Sequence, residues 1–317
     1  MRQFTSRNDV FCDVLNAKIF RGKQVIKPSE LERVDPKGPF YDLEGRMREL
    51  ERDVVKFWRK GGVILSLLGL ESQTQIDPDM VFRMFAYDGL AYREQLLNKE
   101  ETRRFPVVSF VLYYGTTPWT RNLTLREAVE FPQQDGEALA KYFNDYALNL
   151  IDMTKFERED VELYSSDFRF FSESHYFRMH PDIRVPTPPG VITDRRTTAD
   201  VVAAVYGNEA VPEMLKTKNN YQGEIAMSAA FADLVEKLEK RGEERGEKRG
   251  EKRGEKRGEK RGEKRGEKRG EKRGIILGKR EVALQLKADN YPFDAIVRAV
   301  KLDPQIVQAW LQEEGGK

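Results

Sequence analysis

A mixed α/β domain, followed by a charged repeat and a small helical tail, is what the sequence predicts, and three observations lead there. Two apolar runs of strand length, Val63 to Leu70 and Pro106 to Tyr114, are too hydrophobic for a surface strand and belong in the middle of a covered sheet. Around them lie stretches with helical periodicity, such as Asn8 to Phe20 and Asp79 to Leu97. From Glu239 to Gly274 the chain then runs through nine tetrads, one reading Glu-Glu-Arg-Gly and the rest Glu-Lys-Arg-Gly, which no globular core would require.

In the first helical stretch Val10, Phe11, Val14, Leu15 and Phe20 fall near helical spacing, and Gly22 stops the helix. Asp9 and Asp13 are four apart and share a face, where two like charges repel unless a cation or a donor answers them. Val25 to Val34 reads as a short strand or extended turn interrupted by Pro36, Gly38 and Pro39, and Tyr41 to Glu51 reads as helix. Arg52 to Trp58 could prolong that helix, but the β-propensity of Val54, Val55, Phe57 and Trp58, with the Gly61-Gly62 turn after them, favours a strand. The run Val63 to Leu70 ends in Glu71-Ser72-Gln73, and Asp79 suits the N-cap of a helix through about Leu97. Gly115 and Pro118 close the strand Pro106 to Tyr114. Further helix is expected through Ala138 to Phe143, and Ala147 to Ile151 is a fourth apolar run. Glu209 to Lys216 and Met227 to Glu239 have helical patterns.

With 317 residues, 39% of them hydrophobic, the chain can bury one substantial core and carry a small accessory unit. The expected division is a core over 1–155, a mainly helical or irregular extension over 156–238, the tetrad spacer over 239–274 and a helical unit over 275–317. The single cysteine, Cys12, excludes a disulfide framework and a multi-thiolate metal site, and its apolar helical setting is that of a buried thiol. A reducing cytoplasm fits that usage. The first twenty residues lack an apolar h-region, and no window approaches the roughly 18 apolar residues of a membrane span, so neither export nor insertion is expected. A Walker lysine loop, a dinucleotide glycine fingerprint and a serine-hydrolase elbow are all missing, which leaves no foothold for a nucleotide cofactor.

The net charge of +2 hides an asymmetry. Residues 239–274 hold 17 Lys and Arg against 10 Glu, a surplus of +7, which leaves −5 for the remainder. A basic arm can seek phosphates by releasing counterions. The period of four, however, sets Glu over Glu and Lys over Lys at i,i+4, and each glycine costs about 1 kcal/mol relative to alanine, so an isolated helix here would be marginal. A solvated spacer is favoured over a DNA-binding arm. The tail has two short helical patterns after Asn290, Phe293 to Val300 and Pro304 to Leu311, with Asp303-Pro304 as N-cap and N1. It is compatible with a helix-turn-helix unit, but its balanced charge suits a small interaction or oligomerisation motif equally well.

The group with chemistry in it is Asp53 followed by Glu71 and Gln73. Residues 71 and 73 alternate in phase on a strand and project from one face. With Asp53 on the adjoining strand, two carboxylates could converge on one divalent cation, the oxygen-rich setting that Mg²⁺ prefers. Spacing alone does not single this pair out in a chain with 53 acidic residues. His175 and His180 lie five apart without a Glu-rich helix around them and read as structural or surface residues.

Several stretches together carry a resemblance. They are Asp9-Val-Phe-Cys-Asp-Val-Leu-Asn16, Arg52-Asp-Val-Val-Lys-Phe-Trp58, Gly69-Leu-Glu-Ser-Gln-Thr-Gln-Ile-Asp77, Tyr87-Asp-Gly-Leu-Ala-Tyr-Arg93, Phe105-Pro-Val-Val-Ser-Phe-Val-Leu-Tyr-Tyr-Gly115 with Pro118-Trp119, and Asn144-Asp145-Tyr146 with Asn149-Leu150-Ile151. In this order, with the charged tract and its tail, they resemble the Rpn family of recombination-promoting nucleases and putative transposases. The resemblance implies a PD-(D/E)XK, restriction-endonuclease-like core, a mixed sheet flanked by helices. In it Asp53 matches the Asp, Glu71 the Glu, and Gln73 stands where the wider superfamily often has Lys. The metal shell it implies is Asp53, Glu71 and the backbone carbonyl of Ser72, with Asp13 of the leading helix as a further candidate through water. Tyr87, Asp88, Tyr92 and Gln95 match the helix packed beside the site.

The implied activity is Mg²⁺-dependent DNA endonuclease cleavage, in support of recombination. Gln73 can orient water but cannot act as a cation or a base near neutral pH, so a catalytically weak or inactive DNA-binding or interaction protein of the same fold is the alternative, and a transposase-associated role a third. DNA is the expected partner, and analogy with restriction-like cores, which often cut as dimers, points to a homodimer.

Overall fold

The computed structural model describes residues 1–34, 37–41, 47–99, 103–183, 186–216 and 225–313, with the backbone alone at 37–41, 47–50 and 313. The chain divides into two compact units, Met1–Lys240 and Arg241–Lys317.

The first unit is built on a five-stranded mixed sheet flanked by helices. The first long helix, α1 (Asn8–Phe20), ends where Arg21 and Gly22 take left-handed conformations, φ 52° and 81°, as the glycine at 22 foretold. Strand β1 (Leu31–Arg33) follows a short 3₁₀ turn, and β2 (Lys37–Tyr41) pairs with β3 (Met47–Glu51) in a separate antiparallel ladder. Strands β4 (Val54–Lys60) and β5 (Val63–Gln73) form a hairpin across Gly61-Gly62, whose φ values of 58° and 80° suit a two-residue turn that only glycine enters freely. Helix α2 (Met80–Leu97) is the crossover that carries the chain to β6 (Val107–Tyr113), and β7 (Asn149–Asp152) completes the sheet. The order is β1-β4-β5-β6-β7, with the first two pairings antiparallel and the last two parallel.

Both faces of this sheet are covered, as the continuous apolar runs of β5 and β6 require. On one face Leu68, Leu70, Phe110 and Leu112 pack with Val10, Phe11, Val14 and Leu15 of α1, with Phe168, Phe170 and Phe171 of α3 (Phe168–Met179), and with Val201 and Val202 of α4 (Arg195–Tyr206). On the other, Met80, Val81, Met84 and Tyr87 of α2 meet Val111, Tyr113 and Trp119, while Val55, Leu67, Phe105 and Val107 form a neighbouring cluster. Cys12 is buried in the first of these layers, and burial pushes its thiol up to about 12.

Several expectations need correction. Tyr41 and Met47–Glu51 are strand, not helix, because the two segments satisfy each other's backbone groups as a ladder; residues 42–46 lie outside the described ones. Within Val25 to Val34 only Leu31–Arg33 is strand, entered through the 3₁₀ turn Pro28–Glu30. The helix expected through Phe143 spans only Gly136–Ala140, and a second short helix, Leu125–Ala128, is capped by Thr124 and Glu127 in a reciprocal box. Glu209 to Lys216 splits into a 3₁₀ turn at Asn208–Ala210 and a single helical turn at Glu213–Lys216.

The tetrads are helical, within α5 (Met227–Ala288), although every residue from Glu243 to Gly274 is exposed. The nucleation cost that makes an isolated repeat helix marginal is borne elsewhere. Ala230, Phe231 and Leu234 anchor the first turns of α5 in the main core, and Ala283 packs its last turns in the second unit, so the repeats need only propagate. In that second unit Ala283 is buried with Ile296 and Val300 of α6 (Phe293–Val300) and with Val307 and Leu311 of α7 (Pro304–Glu313). The turn between them is made by Lys301 in the left-handed region, φ 49°, and by Asp303, whose Oδ1 accepts from the Gln305 amide at 2.8 Å. None of the described helices is long and apolar enough to cross a membrane.

Candidate active site

The hairpin register places Val54 opposite Leu70, so Asp53, one residue before β4, stands opposite Glu71 near the end of β5. The Glu71 carboxylate is held by the backbone of Asp53, and that of Asp53 by the backbone of Ser72. The Asp53 amide donates to Glu71 Oε1 at 2.9 Å, and the Ser72 amide donates to Asp53 Oδ2 at 2.9 Å. Glu71 is 4% exposed, and burial together with the Asp53 charge pushes its carboxyl up to about 7. The Asp53 amide, Arg83 and Arg52 act in the opposite sense.

Arg83 reaches this pair from α2. Its Nη2 lies 3.9 Å from Glu71 Oε2, its Nη1 donates to Asp77 Oδ2 at 2.6 Å, and its side chain is 36% exposed. The hydrogen bonds that Arg83 donates to the Tyr87 hydroxyl and to Asp77 hold the guanidinium firmly charged despite its burial. Tyr87 donates its hydroxyl to the Glu51 carbonyl at 2.9 Å and lies beneath both Arg83 and Arg52, 6.0 and 5.3 Å from its ring centroid.

Arg52 sits beneath the site. Buried, it donates to Ser109 Oγ and to Asp88 Oδ1, both at 3.4 Å. Asp88 also accepts from Ser109 Oγ at 2.6 Å and from the Tyr146 hydroxyl at 2.8 Å. Gly69 makes room for this polar cluster inside the sheet, since a Cβ there would come within 2.8 Å of Ser109 Oγ and 3.3 Å of Arg52 Nη1.

Of the residues singled out in the sequence, Asp53, Glu71 and Ser72 come together. Gln73 is half-buried, gives its carbonyl to the Tyr114 amide at 3.0 Å, and has no hydrogen-bond partner for its amide group among the described residues. Tyr87 and Asp88 reach the site through Arg83 and Arg52. Tyr92 and Gln95 do other work. The Tyr92 hydroxyl accepts from the Val107 amide at 3.1 Å, and the Gln95 amide exchanges hydrogen bonds with the Phe105 backbone at 3.0 and 3.1 Å, so both align the start of β6.

Asp13 does not join them. Its carboxylate accepts four hydrogen bonds, 2.8 to 3.1 Å long, from the amides and hydroxyls of Ser165 and Ser166, which answer the charge that the helix alone left unanswered. His175 is fully buried on α3, its ring nitrogens have no partner among the described residues, and burial lowers it to about 4. His180 offers Nδ1 to the Tyr176 carbonyl.

Sequence reasoning missed Arg52, Arg83, Ser109 and Tyr146. Arg83 could have been found as the cation one helical turn before Tyr87; nothing in the sequence marks Ser109 or Tyr146 as partners of Asp88. Among the described residues no group of three or more His, Cys, Asp and Glu is gathered to cage a metal. The donors on offer are two carboxylates, whose mutual repulsion a cation would relieve, and the main chain at Ser72. That set fits Mg²⁺, which typically binds through one or two carboxylates and otherwise takes water and phosphate oxygens.

No curated protein and no solved structure matches the chain. Residues 46–167 match the family model described as "Putative transposase, YhgA-like". The matched segment contains Asp53, Glu71, Ser72 and Gln73 together with the whole of α2, so the part of the chain that is similar to this transposase family is the part that builds the carboxylate pair.

Proposed function

We propose that the chain hydrolyses DNA phosphodiester bonds, with Asp53 and Glu71 holding Mg²⁺ or another divalent cation. The observation that carries this reading is the crosswise hydrogen bonding that fixes two carboxylates side by side at one end of β5, with Glu71 raised to about 7. A divalent cation bound there would neutralise charge on the phosphodiester and acidify the attacking water. The protein's own part is preorganisation. The backbone bonds fix one oxygen of each carboxylate and leave Asp53 Oδ1 and Glu71 Oε2 for ligation. Arg83, fixed by Asp77 and partly exposed, supplies a positive charge beside Glu71 at which phosphate oxygens can settle. The Gln73 amide orients water without taking its proton.

Supercoiled plasmid incubated with the full chain, with and without Mg²⁺ or Mn²⁺, tests the reading. Nicking that needs the metal and disappears in Asp53→Asn supports it; nicking by Asp53→Asn and Glu71→Gln equal to that of the wild type overturns it. The neutral Gln73 favours a second reading, a module that binds DNA without cutting it. DNA retention without nicking under every metal would favour that one. Strand transfer, which the matched family's description suggests, would show as joined rather than nicked products.

A further inference from the structure

Helix α2 carries two apolar seams. The inner one, Met80, Met84, Tyr87, Ala91 and Gln95, faces the sheet and is buried or half-buried. The outer one is Phe82, Phe85, Gly89, Tyr92 and Leu96, spaced 3, 4, 3 and 4, the repeat by which one helix packs along another. Its large side chains are open to solvent: Phe82 is 40% exposed, Phe85 51%, Tyr92 44% and Leu96 69%. Tyr146, 5.5 Å from the Phe85 ring, extends the aromatic surface sideways. A contiguous stripe of large exposed apolar side chains marks an interaction surface.

Gly89 is the midpoint between the two ends of the seam. Counting outward from Gly89, Phe82 and Leu96 each stand seven residues away, Phe85 and Arg93 four, and Asp79 and Lys99 ten. Nothing lies within 4 Å of where a Cβ at Gly89 would be, so another backbone can approach there. Asp79 and Lys99 are exposed and make no ion pair with each other or with any other described residue.

We infer that this outer face of α2 binds the same face of a second copy of the chain, antiparallel, with the two-fold axis at Gly89. Residue i of one copy then contacts residue j of the other and the reverse, as a two-fold interface demands. Phe82 covers the partner's Leu96, and Phe85 receives the partner's Arg93 over its ring. Asp79, the N-cap of each helix, then lies at the same end of the pair as the partner's Lys99, two residues past the helix end, with opposite charge, and the two helix dipoles run in opposite directions. A parallel pair would set Asp79 against Asp79 and Lys99 against Lys99, and the charges favour the antiparallel arrangement for that reason. The inference is independent of the chemistry proposed at Glu71.

Sedimentation velocity on the full chain, over a concentration series, tests it. The wild-type protein should run as a dimer. Leu96→Glu, at a position without core contacts, should weaken self-association at least 10-fold while leaving the far-ultraviolet circular dichroism and the Tm as in the wild type. Asp79→Lys and Lys99→Asp should each weaken it, and the two together should restore it, because the swapped charges again oppose each other across the axis. A monomeric wild-type protein would overturn the inference. So would a Leu96→Glu protein that dimerises as tightly as the wild type, or a double variant no better than its parents.

Discussion

The Asp53 amide donates to Glu71 Oε1 at 2.9 Å, so the strand that carries one carboxylate holds the other in place. Asp53→Asn keeps an oxygen for the Ser72 amide and removes the charge. The fold should persist while metal-dependent nicking falls about 100-fold or more, the scale of losing a preorganised charge at a reacting centre. The same variant removes one of the two causes that raise Glu71. In metal-free protein the Glu71 carboxyl, followed by carbon-detected NMR, should titrate below its wild-type value of about 7. An unshifted Glu71 would show that burial alone sets it.

Among the described residues Arg83 is the cation within 4.0 Å of Glu71 Oε2, at 3.9 Å. Arg83→Ala should lower nicking about 10- to 100-fold, as loss of a residue that supports a metal site does, and Arg83→Lys should recover part of it. Gln73→Lys should preserve or raise activity, since a cation at 73 stabilises developing negative charge. A folded Gln73→Lys protein without any activity would count against a place for residue 73 beside the attacking water.

Asp13 serves the fold. Asp13→Ala removes four hydrogen bonds and leaves the Ser165 and Ser166 amides without an acceptor, at a cost on the order of 3 kcal/mol. Urea unfolding should show that loss, while the Mg²⁺ concentration for half-maximal nicking stays at the wild-type value. A shift in the metal requirement without a loss of stability would return Asp13 to the metal shell.

His175 makes stability depend on pH. Its folded-state value of about 4 lies below the 6.5 of an unperturbed histidine, because burial opposes the charge. The unfolded chain takes up a proton as pH falls through 6.5 and the native one does not until about 4, so stability is full above 6.5 and declines across that window by about 3 kcal/mol. Denaturation curves at pH 7 and pH 4.5 should separate by most of that amount. His175→Phe should shrink the gap; an unchanged gap would place the titration elsewhere.

The tetrads offer a test of spacer against arm. Deleting Glu243 to Gly270 removes seven whole tetrads and a net charge of +5. A spacer leaves DNA affinity at low and high salt unchanged, whereas phosphate contacts would make the deletion weaken binding at low salt and flatten the salt slope. The interleaved glutamates favour the spacer, and a binding titration at two salt concentrations decides between them.

What was legible in the sequence follows from how local the governing physics is. Apolar runs and glycine turns report burial and backbone conformation residue by residue, so β5, β6, α2 and the Gly61-Gly62 hairpin could be placed at once. Met47–Glu51 was misread as helix because its strand character comes from pairing with Lys37–Tyr41, a contact that periodicity does not carry. The pairing of Asp53 with Glu71 is what the family resemblance implies, and the hairpin register brings the two together. Their supports were not legible, because Arg52, Ser109 and Tyr146 meet at Asp88 from four separate segments, and no spacing rule links them. Asp13 was placed on the right face of its helix, and the donors that answer it come from more than 150 residues away.

The main core has a practical consequence for anyone cutting the gene. The segment similar to the transposase family, 46–167, owns the carboxylate pair and the layer under α2, but not the helices that cover the sheet's other face. Leu68, Leu70, Phe110 and Leu112 are roofed by Phe11, Leu15, Phe171 and Phe231, all from outside it. Trimmed to the matched segment, the polypeptide would present that layer bare to water, a sticky surface in place of an interior. The compact unit that holds both the pair and its roof runs from Met1 to Lys240.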